Sequence, residues 1–140
     1  SASSPFPQPD SLACANIDPV ISYNHLVKKT HWIILSILWA ALTWHLTSTP
    51  QVIVLDQPWF HSLMMMSAHF IFFGIQAVLL FLSSLRMGNS IALSSIFGAL
   101  IEFNQASIPG RTADPLDWIL DTLGALAFLL VLKKLQSSHT

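Results

Sequence analysis

Four apolar stretches, separated by short segments rich in Pro, Gly, Ser and charged residues, set the pattern of this chain. They run over about 30–46, 62–82, 90–107 and 115–135. Each approaches the roughly 20 residues that carry a helix across about 30 Å of hydrocarbon at about 1.5 Å per residue. The pattern therefore predicts an all-α fold, a bundle of four transmembrane helices, preceded by a polar arm over residues 1–29.

Inside each stretch the polar residues recur at helical spacing. Ser36 and Thr43 share one face of the first span, as small and hydroxylated residues do where helices approach closely in lipid. In the second, Ser62, His69, Gln76 and Ser83 fall at intervals of seven, close to one line along the helix, which predicts a face turned toward protein. Ser94, Gly98 and Glu102 share a face of the third span, with Gln105 one turn further on. In the fourth, Asp117, Asp121, Gly124 and Phe128 line up. An ionisable group inside a span is costly unless partnered, so His69 reads either as part of a functional site or as an interhelical hydrogen-bonding group.

The segments between spans read as stops and caps. The arm, rich in Ser and Pro, is expected to be irregular. No apolar signal-peptide core precedes Thr30, so the first span is expected to act as the insertion signal. Cys14 lacks the flanking pattern of a lipoprotein box, and a lone Cys forms no internal disulfide. Pro50 and Pro58 break the 47–61 connection, within which 52–55 is expected to touch the headgroup region. A turn over 83–89 makes a hairpin of spans two and three, and Pro109 with Gly110 closes the third. Asp114 is placed to cap the fourth helix, Pro115 fits its first turn, and Asp117 sits where a capping-box acid reaches back. Trp32, Trp44 and Trp59 mark interfaces, while Trp39 at mid-span faces lipid or a neighbouring helix.

Composition agrees with a membrane setting: 53% hydrophobic residues, 9% charged and a mean hydropathy of +0.60 do not suit a wetted surface. A formal charge of −1 and the lack of a basic run argue against nucleic acid as a partner, leaving membrane lipid and, in one reading, other subunits of a membrane complex. Lys28, Lys29, Arg86, Lys133 and Lys134 fall on one side if there are four crossings. That side is expected to be cytoplasmic, which puts both termini there in a bacterial-type inner membrane. Arg111 alone lies opposite, which suggests pairing with acids.

The candidate chemistry concentrates between Gly98 and Gly124, where Glu102, Gln105, Arg111, Asp114, Asp117 and Asp121 gather four of the seven acids in the chain. Capping accounts for Asp114 and in part for Asp117. For Glu102 and Asp121 two readings stand: a binding or catalytic role, or structural pairing with Arg111 or His69. No nucleophile with an adjacent base is evident, although Ser107 lies nearby. No metal site is expected, since the thioethers of Met64, Met65 and Met66 are poor ligands for most ions. No cofactor is expected either. A pigment or haem would need His31, His45 or His69 as its axial ligand, and the two terminal histidines read more simply as interfacial caps.

The run Gly98, Ile101, Glu102, Gln105, Pro109, Gly110, Arg111, Asp114, Asp117, Gly124 resembles the signature of VanZ-like membrane proteins, G-x-x-x-E-x-x-Q, then P-G-R, then D-x-x-D. Thr47, Ser48 and Pro50, and His69, Phe70 and Phe73, resemble two further family segments. Met65 and Met66 stand where the family often has Asp-Lys, and Asp121 where it has Asn. The resemblance, spanning about 35–130, implies a fold and a site more than a reaction.

Both lines lead to an outward-facing polar pocket able to hold a zwitterionic or anionic headgroup, as in a protein that binds a cell-envelope or lipid-linked molecule. Two alternatives are an accessory subunit of a respiratory or photosynthetic assembly, and an intramembrane enzyme using Glu102 and Asp117 as acid and base.

Overall fold

The computed structural model describes residues 19–50, 58–109, 111 and 113–138, with the backbone alone for 19–26, 58 and 61. Over these residues the chain is all-helical: α1 (Pro19–Ser48), α2 (Pro58–Leu82), α3 (Met87–Gln105) and α4 (Pro115–Ser137). The hydrophobic pattern located all four elements, and α2 ends at the expected Leu82. The larger difference is at the front. α1 begins at Pro19, where the arm was expected to be irregular to residue 29, so 19–29 extend the first helix. Pro19 suits a first turn, and no Gly or further Pro interrupts the polar residues after it. Polar composition here marks a helix end instead of a coil. Cys14 and the 52–55 segment lie outside the described residues.

α2 and α4 form the principal contact and run parallel. The pairing ascends along both helices, with His69 on Asp121, Phe70 against Gly124, and Gly74 against Phe128. A Cβ built at Gly124 would strike the carbonyl oxygen of Phe70, and one at Gly74 would lie 2.6 Å from the Phe128 ring. Gly124 lets the two backbones close to a distance no other residue permits, and Gly74 leaves room for the Phe128 ring. The Phe70 and Phe128 rings then meet edge to face, their centroids 6.0 Å apart. α3 packs on α4, and α1 leans on α2 and α3. Trp39 turns to its neighbour: its indole N–H donates to the Phe72 carbonyl at 3.0 Å and its ring lies 5.0 Å from that of Phe72.

The burial pattern is inverted relative to a protein in water. Among the described residues, ten buried polar or charged side chains outnumber five buried apolar ones, while Ile37, Leu38, Ile96, Phe103, Val131 and many other large apolar residues lie outside. Water would disfavour such a surface strongly, and lipid does not. Two helices, α2 over Ser62–Leu82 and α4, are long and apolar enough to cross a membrane by themselves. α1 and α3 turn polar residues toward the bundle: Ser36 and Thr43 from α1, and Ser90, Ser94, Glu102 and Gln105 from α3, are all buried. Their interior contacts are hydrogen bonds, such as Gln76 to Ser36 at 3.0 Å and Ser94 to the Phe73 carbonyl at 3.2 Å. Ser62 departs from its expected stripe and is exposed. His69 lies about 16 Å along α2, whereas its partner Asp121 lies only about 9 Å along α4. The first turns of α2 therefore project beyond the start of α4.

Candidate functional site

The connections α1–α2 and α3–α4 share one end of the bundle, and the polar side chains converge just inside it. α4 starts as its sequence dictates. Asp114, with extended backbone, accepts a hydrogen bond from the Leu116 N–H at 2.9 Å, and Pro115 opens the first turn. The reach-back expected of Asp117 is made by another helix. The Asp114 N–H donates to Glu102 Oε2 at 2.9 Å, so the carboxylate near the end of α3 completes the cap of α4. That bond frees Asp117 to turn inward.

There it meets His69. The imidazole sits between the two acids of α4, with Nδ1 2.9 Å from Asp121 Oδ1 and Nε2 3.8 Å from Asp117 Oδ2. Residues 117 and 121 are one helical turn apart, which puts both carboxylates on the face that meets α2. In the fold the partner of Asp121 is His69. Asp121 is fully buried, His69 and Glu102 nearly so, and Asp117, at 21% side-chain exposure, forms the rim. The imidazole also stacks on Phe73, their planes 8° apart. Asp121 fits because residue 98 is glycine: a Cβ there would lie 2.5 Å from Oδ2.

Among the described residues, four buried polar atoms of the interior have no hydrogen-bond partner: Glu102 Oε1, Asp121 Oδ2, Gln105 Nε2 and Gln76 Oε1. Leaving such atoms unmatched is costly, and three of them, on Glu102, Asp121 and Gln105 one turn from Glu102, mark capacity for a ligand beside His69. One donor atom from each of those three residues lies within 4.8 Å of the others.

Among the described residues Arg111 joins no acid. Its Nε donates to the Thr49 carbonyl at 3.1 Å and its Nη2 to the Leu46 carbonyl at 3.3 Å, so the guanidinium closes the C-terminal end of α1, where unpaired carbonyls and the helix dipole favour a cation. The expected ion pair with Glu102 or the acids of α4 is not made. Partial burial pulls the Arg111 pKa below its ordinary value, while the nearby charge of Glu102 works in the opposite direction. Gly110, next to it, lies outside the described residues.

Of the expected site residues, His69, Glu102, Asp117 and Asp121 come together, and Gln105 is buried one turn from Glu102. Asp114 is a cap and Arg111 a tether. His31 and His45 are exposed on α1, and Ser107 is exposed in the turn after α3. What sequence reasoning missed is the link from Glu102 to the start of α4, because spacing within one helix carries no information about a partner on another.

The model of the VanZ/LLP1 family matches residues 13–136, nearly the whole chain. The chain belongs to the VanZ/LLP1 family. With its inverted burial and two helices long and apolar enough to span, this VanZ-family member is a membrane protein. Neither a curated protein nor a solved structure matches it.

Proposed function

We propose that this VanZ-family protein crosses the membrane four times and binds the zwitterionic headgroup of a lipid or lipid-linked molecule of the cell envelope at the end of the bundle that carries Arg111. The observation that carries the reading is a separation of charge. Asp117 stands at the rim of an acidic cluster, Arg111 is tethered through backbone carbonyls, and neither neutralises the other by direct contact. An amine facing Asp117 and a phosphate facing Arg111 would complement both. The cationic residues Arg86, Lys133 and Lys134 gather at the opposite end, which is expected to be cytoplasmic, so the site faces outward.

The test is lipid retention. The detergent-purified protein is titrated with phosphatidylethanolamine and with phosphatidylglycerol and read by native mass spectrometry. The zwitterionic lipid is expected to bind as a single retained copy, and both Asp117→Asn and Arg111→Gln should weaken it. Equal retention of the two lipids, or retention unchanged in both variants, would sink the reading.

A further inference from the structure

The deepest part of the cluster presents a chemistry that headgroup binding does not use. His69, Glu102 and Asp121, from α2, α3 and α4, are each at least nine-tenths buried, with exposures of 5%, 7% and 0%. One donor atom from each lies within 4.8 Å of the other two. Two of these side chains keep an unspent oxygen, Glu102 Oε1 and Asp121 Oδ2. The charges do not balance either. Among the described residues, Glu102, Asp117 and Asp121 face a single imidazole, and Arg111, whose charge acts on Glu102 without touching it, is tethered to carbonyls of α1. A buried excess of carboxylate calls for a cation.

We propose that His69, Glu102 and Asp121 form a binding site for one divalent transition-metal ion, of the Zn2+ or Mn2+ type. The donor set decides the class: one imidazole nitrogen with two carboxylate oxygens suits these ions, whereas Mg2+ and Ca2+ prefer oxygen alone. The size is close to what is needed. Metal–ligand bonds of about 2.0–2.2 Å place tetrahedral donors roughly 3.5 Å apart, so movements of about 1 Å in three side chains close the site. Each ligand is already held from behind. Glu102 Oε2 is fixed by the Asp114 N–H, His69 is stacked on Phe73, and Asp121 is confined by Gly98, the kind of supporting contact that orients metal ligands. The ion links three helices at one point and leaves Asp117 at the rim. The inference stands on this geometry alone and does not depend on the headgroup reading.

The experiment uses the full chain in detergent micelles, stripped with a chelator and titrated separately with ZnCl2, MnCl2 and MgCl2. Binding is followed by calorimetry and by the melting temperature. One Zn2+ or Mn2+ per chain is expected, with a raised melting temperature and no comparable effect of Mg2+. Glu102→Gln and His69→Ala should each weaken binding by more than the roughly 10–100-fold typical of a supporting residue. His45→Ala, at an exposed histidine, should change nothing. Should a variant fail to fold, the Mn2+ form of the unaltered protein still decides: pulsed electron paramagnetic resonance should detect one directly bound imidazole nitrogen. No saturable binding of either ion, no bound nitrogen, or equal loss in His45→Ala would overturn the site.

Discussion

At the level of single residues, the polar groups of this protein divide into those that close helix ends and those that face one another inside the bundle. Asp114 belongs to the first kind, and its side-chain bond to the Leu116 N–H was legible from the order Asp-Pro before an apolar run. Asp114→Ala is expected to cost about 0.5–2 kcal/mol, seen as a lower melting temperature in detergent, with Asp114→Asn retaining most of the stability. Glu102 belongs to both kinds. Gln at this position keeps an oxygen that can accept the Asp114 N–H, whereas Ala leaves that N–H without its partner, so Glu102→Ala should destabilise by about 1–3 kcal/mol more than Glu102→Gln. Comparable melting temperatures for the two variants would show that the link between α3 and α4 contributes little. Spacing brought Asp117 and Asp121 to one face, but it left their partners open because His69 lies 52 positions before Asp121.

Whole elements are governed by small residues at contact points. Gly124 and Gly98 read alike in sequence, as small positions in apolar helices, yet the structure separates their consequences. A Cβ at residue 124 meets the main chain of α2 at Phe70, which moves only if the helices part. A Cβ at residue 98 meets the Asp121 carboxylate, a side chain. Gly124→Ala is therefore expected to lower stability by about 1–3 kcal/mol through separation of α2 and α4, measured by thermal unfolding in detergent. Gly98→Ala should instead displace Asp121 from His69, so that the imidazole NMR signals shift while helix content by circular dichroism is kept. If Gly98→Ala also lost helix content, its role would be packing of the bundle and not support of the cluster. The start of α1 shows the opposite limit of sequence reading: the residues after Pro19 mix apolar and polar side chains, and it is the fold that joins them to the span as one helix.

For the molecule as a whole, the exterior determines where the protein resides and the interior what it can do. Four helices joined end to end in an up-and-down bundle put Ser138 and Ala113 at opposite ends. Single cysteines at these positions, in a chain with Cys14 replaced by Ser, should react with a membrane-impermeant thiol reagent from opposite sides of sealed vesicles. Labelling of both from one side would contradict four crossings. The sequence by itself determined the number and order of the helices, the apolar exterior and the faces carrying polar groups, because these follow from helical periodicity and from the cost of charge in hydrocarbon, both local properties. Only the tertiary structure decided which polar groups meet. It assigned His69 to Asp121 and Asp117, lent the Glu102 carboxylate to the cap of α4, and turned Arg111 from the acids to the end of α1. The physical reason is that a hydrogen bond between helices depends on their relative register and rotation, which close contacts such as Gly124 on Phe70 set and periodicity within one helix does not record.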